Sequence, residues 1–467
     1  MMPASGARSG PATESSPGDR PAGYDLDAIR GKFPALSITD AGKPRIYFDN
    51  PAGTQVPRQV VERMAECMFE ANANLGGAFR SSVLAGEIVD TALRAMADFL
   101  NAPSADEIVF GPNMTTITFH LSRSIGRHIA ASPGAGDEIV LSRMDHDANV
   151  YPWVLMARDH GLKVRWLPFD VRTFEFDLDE LDRLLNSRTR LVCVGAASNL
   201  TGTLNNVAEI CRRARAAGAW TYIDAVQSAP HVATDVQAIG CDFLVCSAYK
   251  FFGPHQGILW GRGEILERLE PYKLRPAPES PPWSFAPGTA SHEGMAGTTA
   301  AIDYLAWIGE TMAGRPIRSA AHAPASVGDR ASDHNDATAG SGVRREHLDA
   351  AFGLLFDYEQ TLSMQLTAGL ASVPGVRVLG ITSPEDLSRR VPTVAFTVDG
   401  LPPAVLAQQL AADNICVWSG HNYAVEVAQA LGILDSGGAV RVGAVHYNSP
   451  AEIDHFLATL AAMLPAN

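Results

Sequence analysis

The stretch Trp220–Lys250, WTYIDAVQSAPHVATDVQAIGCDFLVCSAYK, contains two apolar runs that each lead into polar side chains. The first run leaves a carboxylate at Asp224, and the second leaves Ser247 and then Lys250. Short apolar runs without polar alternation are typical of strands that are buried on both faces of a parallel sheet. Ligands of such sheets bind at the carboxyl ends of the strands. The stretch therefore predicts two strands that present a carboxylate, a hydroxyl and an amine at one edge of a sheet.

The same alternation of strand, loop and helix continues on both sides of this stretch, over residues 107–262. Helical segments such as Asn205–Ala217 separate the apolar runs. This order is typical of an α/β fold with a mostly parallel sheet and right-handed crossovers. The predicted strands are Glu107–Phe110, Glu138–Ser142, Lys163–Pro168, Leu191–Gly195, Trp220–Ile223, Phe243–Cys246 and Gly257–Trp260.

The composition excludes several other classes of protein. The chain has 467 residues, of which 46% are hydrophobic and 19% are charged, as is typical of a globular enzyme. A formal net charge of −14 repels a phosphate backbone, which argues against general nucleic-acid binding. No apolar run approaches the roughly 20 residues that span a membrane. The six cysteines form no C-x-x-C pair, so zinc ribbons and thioredoxin-like sites are excluded. We expect a cytoplasmic protein.

Composition also divides the chain into segments. Residues 1–23 are rich in Ser, Pro, Gly and Ala and lack the apolar region of a secretion signal, which predicts a disordered tail. Residues 24–45 form a short N-terminal segment, and residues 46–312 form a large domain. Residues 313–345 have little apolar content and predict a flexible insertion. Residues 346–467 predict a smaller α+β domain, with a helix at Leu348–Ala371 and strands at Val376–Leu379, Thr393–Val398 and Ile415–Val417.

Lys250 and Asp224 together suggest a particular chemistry. Burial at a strand end lowers the pKa of a lysine, and a neutral amine can form a Schiff base. Pyridoxal phosphate needs such a lysine, and it needs a carboxylate that keeps its pyridine nitrogen protonated. Its phosphate needs hydroxyls and N–H groups at a helix start. The stretch Gly111–Thr116, GPNMTT, follows a strand and precedes a helical pattern, so it fits that need.

With these motifs the chain resembles the class V aminotransferase and cysteine desulfurase family of fold-type I pyridoxal-phosphate enzymes. It is most similar to the branch of group II cysteine desulfurases and selenocysteine lyases. The resemblance runs from about Tyr47 to the C-terminus, apart from the predicted insertion. It implies a large domain with a mostly parallel seven-stranded sheet, a small C-terminal domain with residues 24–45 on or near it, and a homodimer. It also implies an amino-acid substrate that forms an external aldimine and loses its α-proton to give a Cα carbanion.

The resemblance assigns roles to individual residues. Lys250 would form the Schiff base, Asp224 would pair with the pyridine nitrogen, and His146 would stack on the ring and move protons. The catalytic set is thus Lys250, His146 and Asp224. Arg441 would hold the substrate carboxylate, and Asn199 would hydrogen-bond near the oxygen of the cofactor ring or to that carboxylate. Thr289 resembles a threonine that reaches the phosphate from the second subunit. The remaining residues that would contact the cofactor are Thr115, Thr116, Gln227, Ser247 and Tyr249.

One departure from the family bears on the reaction. Cysteine desulfurases carry a nucleophilic cysteine on a loop of the small domain, after a Gly-His-His run. Here the run is Gly420-His421-Asn422, and Tyr423 follows it. A phenol with a pKa of about 10 cannot accept sulfur as a thiolate does. Cys416 lies seven residues earlier, on a predicted strand. The sequence therefore predicts a C–S or C–Se lyase without a persulfide-forming cysteine, with transamination and epimerisation as alternatives.

Two readings of another class remain open at the level of sequence. The chain could keep the fold and bind pyridoxal phosphate without catalysis, although an intact Lys250 and Asp224 argue against this. Asp145, His146 and Asp147 could hold a metal with His292 and Glu293, but no H-E-x-x-H or Cys/His spacing supports a metal site. We expect no metal. The glycine-rich stretches match neither G-x-G-x-x-G nor the P-loop pattern.

Overall fold

A computed structural model describes residues 21–313 and 338–464, except residues 22, 133 and 135. Nearly all of the predicted tail over residues 1–23 and most of the predicted insertion over residues 313–345 lie outside the described residues. The helix that we expected at Leu348–Ala371 begins earlier, at Thr338, inside the last part of that insertion. Within the described part of the chain, no helix combines the length and the apolar character needed to cross a membrane.

The elements alternate along the first two thirds of the chain as expected. The helices are α1 (Leu26–Arg30), α2 (Arg58–Glu70), α3 (Arg80–Leu100), α4 (Met114–Ala130), α5 (Tyr151–His160), α6 (Leu178–Leu184), α7 (Val207–Ala216), α8 (Val236–Ile239), α9 (Gly263–Leu266), α10 (His292–Met312), α11 (Thr338–Ser372), α12 (Pro403–Ala412), α13 (Val425–Ala430) and α14 (Pro450–Met463). The strands are β1 (Thr39–Asp40), β2 (Lys43–Pro44), β3 (Ile46–Tyr47), β4 (Ile108–Gly111), β5 (Glu138–Ser142), β6 (Lys163–Leu167), β7 (Phe169–Asp170), β8 (Glu175–Phe176), β9 (Thr189–Gly195), β10 (Trp220–Asp224), β11 (Phe243–Ser247), β12 (Gly257–Gly261), β13 (Val376–Leu379), β14 (Thr393–Val398), β15 (Ile415–Cys416), β16 (Trp418–Gly420) and β17 (Ala439–Gly443).

A seven-stranded sheet forms the centre of the fold, in the order β4-β12-β11-β10-β9-β5-β6. Neighbouring strands are parallel except at β12, which runs antiparallel to both β11 and β4. The connection from β11 to β12 covers only residues 248–256, and a parallel crossover needs about a dozen residues or more. The mostly parallel seven-stranded sheet that we predicted is thus confirmed.

Both faces of this sheet are buried, which explains the apolar runs. Tyr222 and Phe243 pack on the side of α4 and α5, where Trp153 also lies. Ile223 and Leu244, one position further along the same two strands, pack into a second core on the opposite side, shared with α3, α10 and α11. Successive side chains of a strand point to opposite faces, so an element buried on both faces must be apolar throughout.

A second, four-stranded antiparallel sheet follows, in the order β13-β14-β17-β16. The predicted strand at Ile415–Val417 is shorter in the structure, Ile415–Cys416, and does not join this sheet. It pairs in parallel with β3 instead. The amide N–H of Ile46 donates to the carbonyl oxygen of Asn414 at 3.0 Å, and that of Phe48 donates to Cys416 at 2.9 Å. β3, at the start of the predicted large domain, thus supplies the hydrogen-bonding edge that this strand uses.

The turn after β3 is tied to the C-terminal part of the chain through Asn50. Its side-chain amide donates to the carbonyl oxygen of Gly443 at 2.7 Å and to Oδ1 of Asn448 at 3.1 Å. Its Oδ1 accepts a hydrogen bond from the hydroxyl of Tyr447. Asn50 is buried, so these bonds satisfy an amide that would otherwise destabilise the fold. They also fix the position of the next residue, Pro51.

The loop after β9 contacts the four-stranded sheet at Arg390, whose side chain is fully buried. Its guanidinium donates to the carbonyl oxygens of Thr201 at 3.2 Å and Thr393 at 2.7 Å, and also to that of Ile381. Burial lowers the pKa of Arg390 to about 10. Gly202 lies against this contact with φ +75°, and a Cβ atom there would stand 2.3 Å from the Thr393 oxygen. Only glycine fits so close an approach with that backbone conformation.

Candidate active site

A cavity lies at the carboxyl ends of β9, β10 and β11, beside the first turn of α4. This is the edge of the sheet at which we expected a ligand. Eight of the residues that the sequence pointed to line this cavity: Thr115, His146, Asn199, Asp224, Gln227, Ser247, Tyr249 and Lys250.

Lys250 lies in a short 3₁₀ turn, Ala248–Lys250, which directly follows β11. Its Nζ donates to the carbonyl oxygen of Ala52 at 3.1 Å and to that of Pro51. Burial lowers the pKa of Lys250 to about 7, and the charge of Arg441 adds to this effect. The amine can therefore lose its proton near neutral pH, as a nucleophile or a base requires.

Asp224 ends β10 and is buried at the inner side of the cavity. Its Oδ1 accepts a hydrogen bond from the backbone N–H of Val226 at 2.9 Å. Burial raises the pKa of Asp224 to about 6, and this hydrogen bond and the charge of Lys250 oppose the rise. The neighbouring Gln227 donates from Nε2 to the carbonyl oxygen of Pro51 at 2.8 Å, so Gln227 and Lys250 share an acceptor.

His146 follows β5 and is held in one orientation. Its Nδ1 accepts a hydrogen bond from the backbone N–H of Ala148 at 3.0 Å, which places the proton of a neutral ring on Nε2. Burial lowers the pKa of His146 to about 3, and the charges of Lys250 and Arg441 lower it further. The imidazole is therefore neutral at physiological pH and can donate a hydrogen bond from Nε2.

The first turn of α4 closes one end of the cavity. The side chain of Asn113 accepts from the backbone N–H of Thr116 at 2.8 Å and caps the helix. Thr115 lines the cavity, whereas Thr116, one residue further, does not. Gly257 of β12 lies so close that a Cβ atom there would be 2.3 Å from the carbonyl carbon of Asn113. The free N–H groups of a helix start attract an anion such as a phosphate.

Arg441 on β17 lies next to the cavity and does not line it. Its Nη1 donates to the carbonyl oxygen of Asn199 at 3.0 Å, and its Nη2 lies 3.6 Å from Oδ1 of Asp49. Sequence reasoning missed Asp49, although a carboxylate two residues after β3, in an otherwise apolar and turn-forming stretch, was a usable signal. Burial lowers the pKa of Arg441 to about 10, and the pair with Asp49 opposes this.

Three buried polar atoms at or next to Arg441 have no hydrogen-bond partner among the described residues: Nε of Arg441, Oδ1 of Asn199 and Oδ1 of Asp49. Buried groups of this kind are rare in proteins unless a ligand or water satisfies them. Together with the amine of Lys250, the carboxylate of Asp224 and the helix start, they fit pyridoxal phosphate and the carboxylate of an amino acid. The residues present therefore agree with the cofactor that the resemblance implies.

The loop between β16 and α13 lies against His146 and Asn199, two residues that line the cavity. Asn422 and Tyr423 have φ of +52° and +58°. The ring of Tyr423 stacks on His146, with centroids 5.3 Å apart and planes at 26°, although 66% of this side chain is exposed. Cys416 does not line the cavity, nor do the five buried cysteines, which are Cys67, Cys193, Cys211, Cys241 and Cys246.

Thr289 lies away from this cavity, in a surface groove with Asn74, Leu75 and Leu274. Asp145, which we considered only as a metal ligand, is buried beside His146. Its Oδ1 accepts from the backbone N–H of Gly195 at 2.9 Å, and burial raises its pKa to about 7.

A metal site has no counterpart in the part of the chain that the structure describes. No three His, Cys, Asp or Glu side chains of these residues lie close enough together to hold a metal ion.

Comparison with known proteins gives consistent results. The family described as aminotransferase class-V matches residues 46–324 and 349–456. A probable cysteine desulfurase of Streptomyces coelicolor is 33% identical over 452 residues, covering 92% of this chain and 95% of that protein. A probable cysteine desulfurase of Synechocystis sp. is 31% identical over 93% of this chain and 95% of its own length. The apo structure of a cysteine desulfurase from Thermococcus onnurineus NA1 aligns with a TM-score of 0.75 and 27% identity, covering 90% of this chain and 94% of that one.

Proposed function

Because this chain belongs to the class V aminotransferase family, as a cysteine desulfurase-like enzyme that depends on pyridoxal phosphate, we propose that it cleaves the C–S or C–Se bond of an amino acid without a persulfide-forming cysteine. With cysteine as substrate and water as co-reactant, β-elimination yields pyruvate, ammonia and hydrogen sulfide. This reaction is redox-neutral and needs no thiolate acceptor. Conversion to alanine, in contrast, transfers a sulfur atom to an acceptor.

The observation that carries this proposal is the environment of the cavity. None of the six cysteines lines it, and Tyr423 occupies the loop position at which a nucleophilic cysteine would be expected. Burial also raises the pKa of Cys416, which disfavours the thiolate. The sulfur atom of a substrate would therefore leave as sulfide.

The described residues suggest how the chain would assist this reaction. Pyridoxal phosphate, when bound, supplies an electron sink for the electron pair left behind by the α-proton. Lys250, with a pKa of about 7, would accept the α-proton. Asp224 would keep the pyridine nitrogen protonated, and Arg441 would bind the α-carboxylate through its guanidinium, whose Nε has no partner in the described part of the chain. The neutral His146 would donate from Nε2, and its Nδ1 is already occupied by the backbone of Ala148.

The other contacts of the cofactor are proposals of the same kind. Thr115, Thr116 and Ser247 would hold the phosphate at the start of α4, and Gln227 and Asn199 would face the ring and the substrate. Gln227 would first have to exchange its hydrogen bond to Pro51.

The deciding experiment mixes the cofactor-loaded protein with L-cysteine and measures pyruvate, alanine and sulfide. Pyruvate and sulfide in equal amounts support the proposal. Alanine would mean true desulfuration, and Tyr423 would then not prevent it. If neither product forms, cysteine is not the substrate, and transamination or epimerisation of another amino acid becomes the better hypothesis. A Lys250→Ala variant with the same amount of cofactor controls for breakdown of cysteine by the free cofactor.

We also propose a homodimer, since an apolar surface lies around Thr289. Met68, at the end of α2, lines a groove with Thr289 and is 57% exposed, its neighbour Phe69 is 86% exposed, and Leu274 is 65% exposed. Thr289 shares a groove with Leu274 and would reach the phosphate of a partner subunit only across such an interface. Exposed apolar patches of this kind mark interaction sites. A Phe69→Asp variant should shift the molar mass measured by light scattering from two chains to one, and an unchanged mass would contradict this interface.

The division into a large domain over residues 46–312 and a small domain over residues 346–467 remains a proposal as well. Residues 24–45 would belong with the small domain: the ring of Tyr24 stacks on that of Tyr358, and Lys43 pairs with Asp413 at 2.6 Å. We also propose that the protein is cytoplasmic.

A further inference from the structure

We propose that Tyr423 is a positioning residue whose ring holds the imidazole of His146 against the cavity, so that the loop over residues 420–424 is a fixed support behind the site. The proposal rests on the proposed function only in that a cofactor occupies the cavity. It assigns no role to Tyr423 in the bond-breaking step. In the family this loop carries a reacting side chain, and in this protein it would not.

The rings of His146 and Tyr423 lie at different distances from the cavity. His146 lines the cavity, whereas Tyr423 does not. The two rings are nearly parallel, at 26°, with centroids 5.3 Å apart, which is within the range of favourable aromatic stacking. The imidazole therefore separates the phenol from the cavity, and the phenol limits how far the imidazole can turn away from it.

The backbone of the loop is held in an uncommon conformation. Asn422 and Tyr423 both adopt positive φ, a conformation that tyrosine rarely takes and that persists only where the surroundings enforce it. Here the contacts that enforce this conformation come from residues outside the loop. Nδ2 of Asn199 donates to the carbonyl oxygen of Asn422 at 2.6 Å, and the N–H of Asp147 donates to that of Tyr423 at 2.8 Å.

An ion pair also holds α13, the helix that follows the loop. Arg143, after β5, contacts Glu426 on α13 and also lies over the ring of Trp166, 4.8 Å from its centroid. The loop and the helix that follows it are thus held to the residues around His146 by two backbone contacts, one ring stack and one ion pair.

The environment of His146 supplies a measurable consequence. The charged or titratable groups near it are Lys250 after β11, Arg441 on β17, His421 on the loop, and Asp145 and Asp147 on its own segment. Burial is the largest cause of the lowered pKa of His146. Removal of the Tyr423 ring exposes one face of the imidazole to water and leaves these charges in place. The pKa of His146 should then rise.

The test compares two substitutions of Tyr423 with one control. Tyr423→Asn removes the ring and keeps a residue that tolerates positive φ, so the loop can retain its conformation. Tyr423→Phe keeps the ring and removes only the hydroxyl. Trp418→Ala removes another exposed aromatic side chain, two residues before the loop, and no aromatic ring of the described residues stacks on it.

Two readouts are independent of turnover. The first is the pKa of His146 in the cofactor-free protein, measured by NMR of ¹³C-labelled histidine and assigned with a His146→Gln variant. The second is the circular dichroism of the bound cofactor, together with its dissociation constant. We expect Tyr423→Asn to raise the pKa of His146 by about one unit or more, to weaken the dichroic band, and to weaken cofactor binding about fivefold, in line with the loss of one aromatic contact. Tyr423→Phe and Trp418→Ala should match the unmodified protein.

Two results would overturn the proposal. If Tyr423→Asn leaves both the pKa of His146 and the dichroic band unchanged, the ring does not position the imidazole. If Tyr423→Phe behaves like Tyr423→Asn, the hydroxyl acts and the stack does not. Neither readout uses a product of cysteine, so a failure of the proposed lyase reaction would be seen separately in the product assay.

Discussion

Lys250 should reduce the stability of the cofactor-free protein in a way that depends on pH, and Lys250→Met should remove that dependence. Burial lowers the pKa of Lys250 in the folded protein from 10.5 to about 7. In the unfolded chain the amine stays protonated up to about 10.5. Between these values the unfolded chain binds more protons than the folded protein, so the free energy of unfolding must rise with pH.

The size of the effect follows from the two pKa values. Between pH 7 and pH 9 this single group should add about 2 kcal/mol to the free energy of unfolding of the unmodified protein. Lys250→Met lacks the titrating group and should not show this gain. Its stability at any single pH is less informative, because the carbonyl oxygen of Ala52 loses its donor in the variant, whereas that of Pro51 keeps Gln227.

The assay is urea unfolding of both proteins without cofactor, at the same protein concentration and at the two pH values. Lys163→Met is the matched control, since the side chain of Lys163 is exposed at the start of β6. We expect the pH-dependent gain in the unmodified protein and in the control, and a gain smaller by about 2 kcal/mol in Lys250→Met. Equal gains in the free energy of unfolding in all three proteins would refute the argument that burial lowers the pKa of Lys250 to about 7.

Three further predictions concern the site and its support. Arg441→Lys should raise KM for the amino acid about a hundredfold with little change in cofactor affinity, because an ammonium cannot bind a carboxylate bidentately; steady-state kinetics checks this. Asp224→Asn should lower kcat by about two orders of magnitude or more at saturating cofactor, because an amide cannot hold the pyridine nitrogen protonated; kcat within tenfold of the original would contradict that role. Arg390→Met should lower the free energy of unfolding by about 3 kcal/mol, since buried carbonyl oxygens lose their donor; urea unfolding measures it, and a loss below about 1 kcal/mol speaks against the contact.

Much of the central sheet and part of the site could be predicted from the sequence. Strands buried on both faces must be apolar throughout, so each ends visibly where polar residues begin, as at Asp224 and Lys250. The carboxyl ends of parallel strands meet at one edge, which brought eight of the predicted residues to one cavity. The strand at Glu138–Ser142 was predicted at its observed bounds for the same reason.

What could not be predicted depends on contacts between distant parts of the chain. The pairing of Ile415–Cys416 with β3 joins segments for which no local pattern indicates a partner. The pair between Arg441 and Asp49 and the stack of Tyr423 on His146 have the same origin. Periodicity identifies an element and its buried face, but it does not identify which element will lie opposite.

The contact between Asn50 and Asn448 has a consequence for the order of assembly during synthesis. The two residues are 398 positions apart, and the turn that Asn50 fixes carries the carbonyl acceptors of Lys250. At the usual speed of translation, a nascent chain would wait roughly 20–80 s after making Asn50 before Asn448 exists. The seven-stranded sheet can form within that interval, but the pocket around Lys250 cannot close. Productive loading of the cofactor should therefore wait until Asn448 has been made, and chains that stop before Asn448 should remain unloaded.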